Sequence, residues 1–215
     1  MNIKKALISI VAGLIAAGSA GAATDVSSNI TTSTTWTKAG SPYRLKQQIY
    51  VEPGASLTIE AGVLVASLPA DQGSLAVCRG AKIYVMGTAD EPVIMTSTND
   101  DFANWREACN EWGNLTVMGD ALISASHYGG DPVGDNTKDP SGLNEKQMEG
   151  LTDETLAMYG GANDNDDSGE IHYLSLRYGG KVIGLANELN GLSLGGIGRE
   201  TEISHVEIMN NVDDG

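Results

Sequence analysis

Short runs in which apolar and polar residues alternate recur along this chain, separated by glycine-rich turns. Two of them align without gaps. "VEPGASLTIEAG" starts at Val51 and "VCRGAKIYVMG" starts at Val77, a period of 26 residues. Val51 matches Val77, Gly54 matches Gly80, Leu57 matches Ile83 and Ile59 matches Val85. A third copy, "WGNLTVMG", sets Leu115 against Ile83 and repeats Val85-Met86-Gly87 as Val117-Met118-Gly119. Its offset is 32, which predicts that "NDDFANWREACNEW" is an inserted loop. A further pair, "EIHYLSLRYG" from Glu170 and "EISHVEIMNN" from Glu202, is also 32 residues apart, with "NGLSLGG" supplying a short strand between them.

Alternation with period two marks strands with one buried face. Self-similarity at 20 to 50 residues marks a solenoid or a propeller. A propeller blade needs about four antiparallel strands joined by tight hairpins. These units have fewer strands and few Asn-Gly hairpin signals. The pattern therefore predicts an all-β fold, a right-handed parallel β-helix, in which each coil buries Leu, Ile and Val on its neighbours. A β-sandwich is the competing fold. Leu57, Ile59, Ile83, Val85, Leu115 and Val117 are the expected inward positions. Residues 126–169 break the pattern with Gly, Asp, Asn and Pro, and only "TDETLAMY" reads as a helical turn or two. The organisation expected is a leader over 1–22, a polar segment or cap over 23–45, and a β-helix domain over 46–215, with inserted loops at about 98–111 and 126–169.

Composition adds the compartment. "MNIKKALISIVAGLIAAGSAGAA" has a basic start at Lys4 and Lys5, a short apolar core and a small-x-small end at Ala20-Gly21-Ala22. That is a secretory signal peptide. Its apolar run is short for a membrane span, and no later segment is apolar enough for one. The formal net charge is −15, and losing Lys4 and Lys5 with the leader takes it to about −17. Such acidity argues against nucleic acid and anionic membrane surfaces as partners. It favours solubility and divalent cations. An exported chain with two cysteines, Cys78 and Cys109, suggests one disulfide. With an offset of 32, residue 110 stacks on residue 78. Cys109 then lies one rung of about 4.8 Å away, within reach of a bridge.

Candidate chemistry is sparse. In "GANDNDDSGEI", Asp164, Asp166, Ser168 and Gly169 occupy positions 1, 3, 5 and 6 of a calcium-loop pattern. Position 12 is Ser175 and a strand follows, so this is not an EF-hand. Calcium held by Asp164, Asp166 and Ser168, and a solvated turn capped by its own side chains, both remain open. Asp213 and Asp214 in "NNVDDG" form a carboxylate pair of the kind that glycosidases use as acid and base. A coil corner turned by Asp and Gly is the plainer reading. Arg177 and Lys181 are two bases able to neutralise a uronate. His127, His172 and His205 are scattered, with His205 expected to stack on Tyr173, and they form no zinc constellation. Trp36, Trp105 and Trp112 are able to stack on sugars. The plainer expectation is that Trp112 packs at the start of its coil and Trp105 shields the inserted loop. No cofactor is required by any motif.

The stretches "EWGNLTVMGDALI", "MEGL", "YGGANDNDDSGEIHYLSLRYGG" and "NELNGLSLGGIGRETEISHVEIMNNVDDG" together resemble secreted bacterial right-handed parallel β-helix repeat proteins of pectin-lyase-like fold. The resemblance runs from about Ile49 to Gly215. It implies export to the periplasm, the medium or the outer cell surface. It also implies further coils beyond Asp-Asp-Gly, so that the chain reads as an N-terminal fragment. It brings no catalytic residues with it. The leading expectation is a non-enzymatic surface module with a structural, adhesive or glycan-binding role, its partners polysaccharide or cell-envelope components. The alternative is a lyase or hydrolase acting on acidic polysaccharide.

Overall fold

The computed structural model describes residues 22–123, 144–184 and 187–215; residues 1–21 of the leader and residues 126–143 of the long excursion, His127 among them, lie outside these. From the start of the described chain come β1 (Thr24–Val26), an isolated bridge from Ile30 to Val51, β2 (Thr34–Trp36), a 3-10 turn (Lys38–Gly40) and β3 (Tyr43–Leu45). The next coil contains β4 (Gln48–Val51), β5 (Ser56–Glu60) and β6 (Leu64–Ser67), and the one after it β7 (Ser74–Val77), β8 (Lys82–Met86) and β9 (Val93–Ser97). Then come β10 (Leu115–Met118), the short strands β11 (Lys146–Gln147) and β12 (Met158–Tyr159), and the long β13 (Gly169–Arg177). The last are β14 (Val182–Gly184), β15 (Asn187–Glu188), β16 (Leu192–Gly195) and β17 (Glu202–Met209).

These strands stack in parallel into three faces of a β-helix. Sheet I is β4-β7-β10-β16. Sheet II is β2-β5-β8 continued by the first half of β13 and of β17. Sheet III is β1-β3-β6-β9 continued by their second halves. Among the described residues, the antiparallel pairs are the small ribbons β11–β12 and β14–β15. Residues 24–45 thus take part in the stack: β1 and β3 in sheet III, β2 in sheet II.

The expected inward residues Leu57, Ile59, Ile83, Val85, Leu115 and Val117 are all buried, at 0–1% exposure. The 26-residue register holds strand for strand, Val51 on Val77, Leu57 on Ile83 and Ile59 on Val85. Gly54 and Gly80 repeat the sharp corner between sheets I and II, with φ of +85° and +79°. The Gly54 N–H donates to the Gly80 carbonyl at 2.9 Å, so the corners too are stacked. A side chain is disfavoured at that φ, which is why glycine recurs there. The 32-residue register also holds, from Glu170 on Glu202 to Leu176 on Ile208.

Between sheets II and III, β13 and β17 turn through one residue each, Tyr173 and His205. Both are left-handed, with φ of +50° and +55°. Their rings stack at 4.2 Å between centroids, the pairing the offset predicts.

The third repeat is a correction. Leu115 stacks on Leu75 and Leu192, not on Ile83; what lies on Ile83 is Gly169. Val-Met-Gly at 85–87 ends a strand of sheet II, whereas at 117–119 it ends a strand of sheet I. The Asn114 carbonyl accepts the Leu75 N–H at 3.0 Å, and the Gly113 N–H donates to Gly73 at 2.7 Å. Those bonds fix β10 over β7 at an offset of 40.

The disulfide fails with that register. Cys78 follows β7, is buried, and gives its N–H to the Val51 carbonyl at 3.0 Å. Cys109 lies in the exposed loop 98–111, beside Asn110, whose N–H reaches the Gly179 carbonyl at 2.8 Å. Both cysteines are free.

Candidate functional site

The two loops cover different faces. The described part of the long excursion packs on the outside of sheet I. Gln48 Nε2 donates to the Gly150 carbonyl at 3.2 Å, the Asp153 N–H donates to Tyr50 Oη at 3.2 Å, and Arg79 pairs with Glu145. Burial here raises the Tyr50 and Tyr159 phenols above their usual range. Outward residues of sheet I such as Ala76, Thr116 and Met118 are consequently buried.

The loop 98–111 folds back over sheet III. One outward column of that sheet reads Arg44, Ala66, Thr96, and, one residue past Leu176 on Met95, Arg177. Ala66 and Thr96 are short, so a hollow opens between the two arginines. Asp100 lies on its floor. Its backbone N–H donates to Ser97 at 3.1 Å, and its carboxylate accepts the Thr96 hydroxyl at 3.0 Å and the Phe102 N–H at 2.9 Å. Two adjoining cavities of about 190 and 160 Å³ share Asp100 and Phe102. The first reaches over Arg44, Leu64 and Ala66, the second over Trp105, Arg177 and Met209. Together they make a groove that runs across the stacked strands, along the helix axis.

The loop is held from several sides. The Asp101 carboxylate accepts from Ala103 N–H, Asn104 N–H and Asn104 Nδ2 at 2.9–3.0 Å. Those bonds, the Asn104 side chain first, push its pKa down to about 2. Arg106 grips Glu111 with two bonds of 2.9 and 3.0 Å and lies 4.4 Å over the Tyr178 ring. That grip holds the Glu111 carboxyl below the usual range and the guanidinium above its own. Asn210 Nδ2 donates to the Arg106 carbonyl at 2.7 Å. On this frame Phe102 stands with φ +58° and is 49% exposed, and Trp105 is 67% exposed. A bulky residue in the left-handed region is uncommon and persists where its surroundings over-determine it.

The other tryptophans are spent on structure. Trp36 is buried and stacked on Tyr43 at 4.8 Å, while Trp112 is buried and its Nε1 donates to the Arg177 carbonyl at 2.7 Å. Trp112 meets its expectation. Trp105 does not shield its loop; it projects from it.

The acidic stretch is brought only partly together. Ser168 Oγ donates to Asp166 Oδ2 at 2.8 Å, and both residues are buried. Asp164 turns instead to the Leu122 N–H at 3.2 Å and to Arg199 at 3.5 Å. Asp167 pairs with Lys82, whose ammonium holds that carboxyl below its usual range, and accepts the Gly169 N–H at 2.9 Å. Among the described residues, no group of three or more His, Cys, Asp or Glu side chains is disposed to hold a metal. Asp213 and Asp214 are exposed. The Asp214 carbonyl closes a turn by accepting from the Gly191 N–H and Asn211 Nδ2 at 2.9 and 2.7 Å. Arg177 lies 3.7 Å from Asp100 and 3.8 Å from Glu207. His172 bonds Ser204 Oγ at 2.7 Å through Nδ1.

Sequence reasoning passed over Asp100, Phe102 and Glu207. One signal was available: the chain has a single Phe, and it falls in an inserted polar loop two residues from Asp100.

Residues 28–215 match the model of the family described as pectate-lyase like beta helix domain. No curated protein and no solved structure matches the chain. Among the described residues no helix is long and apolar enough to cross a membrane.

Proposed function

The chain belongs to the pectate-lyase-like β-helix family, and within it we propose that it is an exported, non-catalytic module that binds a glycan chain in the groove over sheet III. The observation that carries this reading is the pair Phe102 and Trp105, exposed on a loop fixed by side-chain hydrogen bonds and poised beside a polar floor. Sugar rings present apolar C–H faces and a rim of hydroxyls. Exposed aromatic faces suit the first, and the Arg177 guanidinium edge with the exposed Glu207 carboxylate beside it suits the second. A groove that follows the helix axis passes over strands about 4.8 Å apart, so it suits an extended polymer better than a compact ligand.

The test is affinity electrophoresis through gels containing soluble polysaccharides, with wild type and Trp105→Ala. Truncating an exposed tryptophan anchor costs binding about 2 kcal/mol or more, near thirtyfold in affinity. Retardation that Trp105→Ala abolishes supports the reading. Retardation indifferent to both Trp105→Ala and Phe102→Ala overturns it. Export is checked by fractionating cells that express the full chain and sequencing the N-terminus of the recovered protein.

A further inference from the structure

Resting on that reading, we infer that the groove selects uncharged sugar units and rejects polyuronates. A uronate carboxylate needs an unpaired cation at its binding position, or a bound divalent ion to bridge to it. The groove has three guanidiniums at or beside it, and each already faces a carboxylate of the protein. Arg44 Nε donates to Asp25 at 2.8 Å. Arg106 holds Glu111 through both terminal nitrogens. Arg177 stands between Asp100 and Glu207, at 3.7 and 3.8 Å, and its Nε donates to Ser175 Oγ at 2.8 Å. Ser175 in turn donates to Glu207 at 2.5 Å, so Arg177 and Glu207 are fixed against each other from two sides.

A carboxylate entering the groove therefore meets neutralised arginines and the Asp100 carboxylate, whose side chain is 2% exposed. The protein around it carries a formal net charge of −15, which lowers the local concentration of any polyanion. A hydroxyl meets a different surface. The Glu207 carboxylate, whose side chain is 62% exposed, offers acceptor oxygens and the Arg177 guanidinium edge offers donors, while Asp100 and Thr96 lie bonded to each other beneath them. The aromatic faces of Phe102 and Trp105 are negative in their quadrupole, so they stack on the C–H face of a neutral ring and give a carboxylate no attraction. The same arrangement that excludes a uronate thus accepts a neutral pyranose.

The experiment uses the full secreted chain. Its migration is compared in gels containing galactomannan, xyloglucan or mixed-linkage glucan, and in gels containing polygalacturonate or alginate. The variants are Trp105→Ala and Phe102→Ala, each checked for an unchanged melting temperature. The expected result is retardation by at least one neutral polymer, abolished in Trp105→Ala. It should change less than about twofold between about 50 and 500 mM NaCl, because no counterions are displaced. Retardation by a polyuronate alone, lost in the same variants, overturns the selectivity and leaves the glycan-binding reading standing. Polyuronate binding that persists in both variants overturns the selectivity and moves binding away from this groove. Retardation by no polymer overturns both.

Discussion

Asp100→Asn probes the groove most sharply, because it keeps the volume of the side chain and removes its charge. In the wild type this carboxylate accepts the Thr96 hydroxyl at 3.0 Å and the Phe102 N–H at 2.9 Å, and faces Arg177 at 3.7 Å. Two unit charges at that distance interact by about 4–5 kcal/mol at an effective dielectric near 20. The net loss is smaller. Arg177 retains Glu207 at 3.8 Å, and about a quarter of its side chain meets water. An asparagine oxygen also still accepts one of the two hydrogen bonds. What disappears is the charge assistance and one acceptor, worth about 1–3 kcal/mol. For a urea m-value of about 2 kcal/mol per M, the unfolding midpoint falls by about 0.5–1.5 M. Intrinsic tryptophan fluorescence reports the transition. The same variant leaves Arg177 underpaired at the floor of the groove, so polygalacturonate should begin to retard it at low salt while the wild type is unaffected. An unchanged midpoint refutes the energetic account. A lowered midpoint with no gain of polyuronate binding refutes the claim that Asp100 is what excludes anions.

The Arg106 grip gives a pH dependence. The folded Glu111 pKa is depressed, so its stabilisation is complete above the ordinary carboxylate value of about 4.3 and is lost as pH falls through the folded value. Near-UV circular dichroism should show loop 98–111 loosening at acid pH, below that range, and Glu111→Gln should remove that step; an identical step in the variant counts against it. Burial pushes the Cys78 thiol up to about 12 while Cys109 is exposed. A thiol reagent at neutral pH should therefore label one cysteine in the native protein, mapped to Cys109 by mass spectrometry, and both after unfolding; no labelling in either state would restore the disulfide. Tyr173 has φ +50°, where asparagine is tolerated and a β-branched residue is not. Tyr173→Val should melt lower than Tyr173→Asn by an amount equivalent to about 1–2 kcal/mol, and equal melting points would deny that the bend is strained.

How much of this was legible in the sequence depends on what repeats. Coils built on β4-β5 and β7-β8 have the same length, so their inward residues fall at one offset and can be read by eye. The third coil has no such partner. Alternation looks the same on all three faces, and a Val-Met-Gly run serves equally well at the end of a strand in sheet I or sheet II. What distinguishes them is the length of the segments between, and the bond from Leu75 to Asn114 that no pattern announces. The groove was hidden for a related reason. Asp100, Arg177 and Glu207 come from different coils, and only the register of β9 on β13 and β13 on β17 brings them together. Arg177 was visible as a base, but its neutralisation by Asp100 and Glu207 was not. The exposure of Trp105 follows from the loop's own turns at Asp100 and Asp101, a local geometry that composition does not carry.

The acidic stretch around Asp166 decides between calcium and a turn by a direct measurement. Each of its three aspartates is already bonded to protein donors: Asp164 by Leu122 and Arg199, Asp166 by Ser168, and Asp167 by Lys82 and Gly169. The Asp166 side chain also lies against the backbone of Gly119, where an added Cβ would come within 2.4 Å of Oδ2. It thus fastens the start of β13 to the exit from β10. Asp166→Ala leaves the Ser168 hydroxyl, itself buried, without its acceptor, at a cost of about 1–3 kcal/mol. That loss should be the same in about 5 mM calcium as in chelator, since a ligand at a hundred times its dissociation constant would add about 2.7 kcal/mol to the wild type alone. Thermal melts of both proteins in both buffers make the comparison. A wild-type melting temperature that rises with calcium, with no rise in Asp166→Ala, would show that these oxygens can leave their present donors and converge on a cation, and that the turn is a metal loop in its unloaded form.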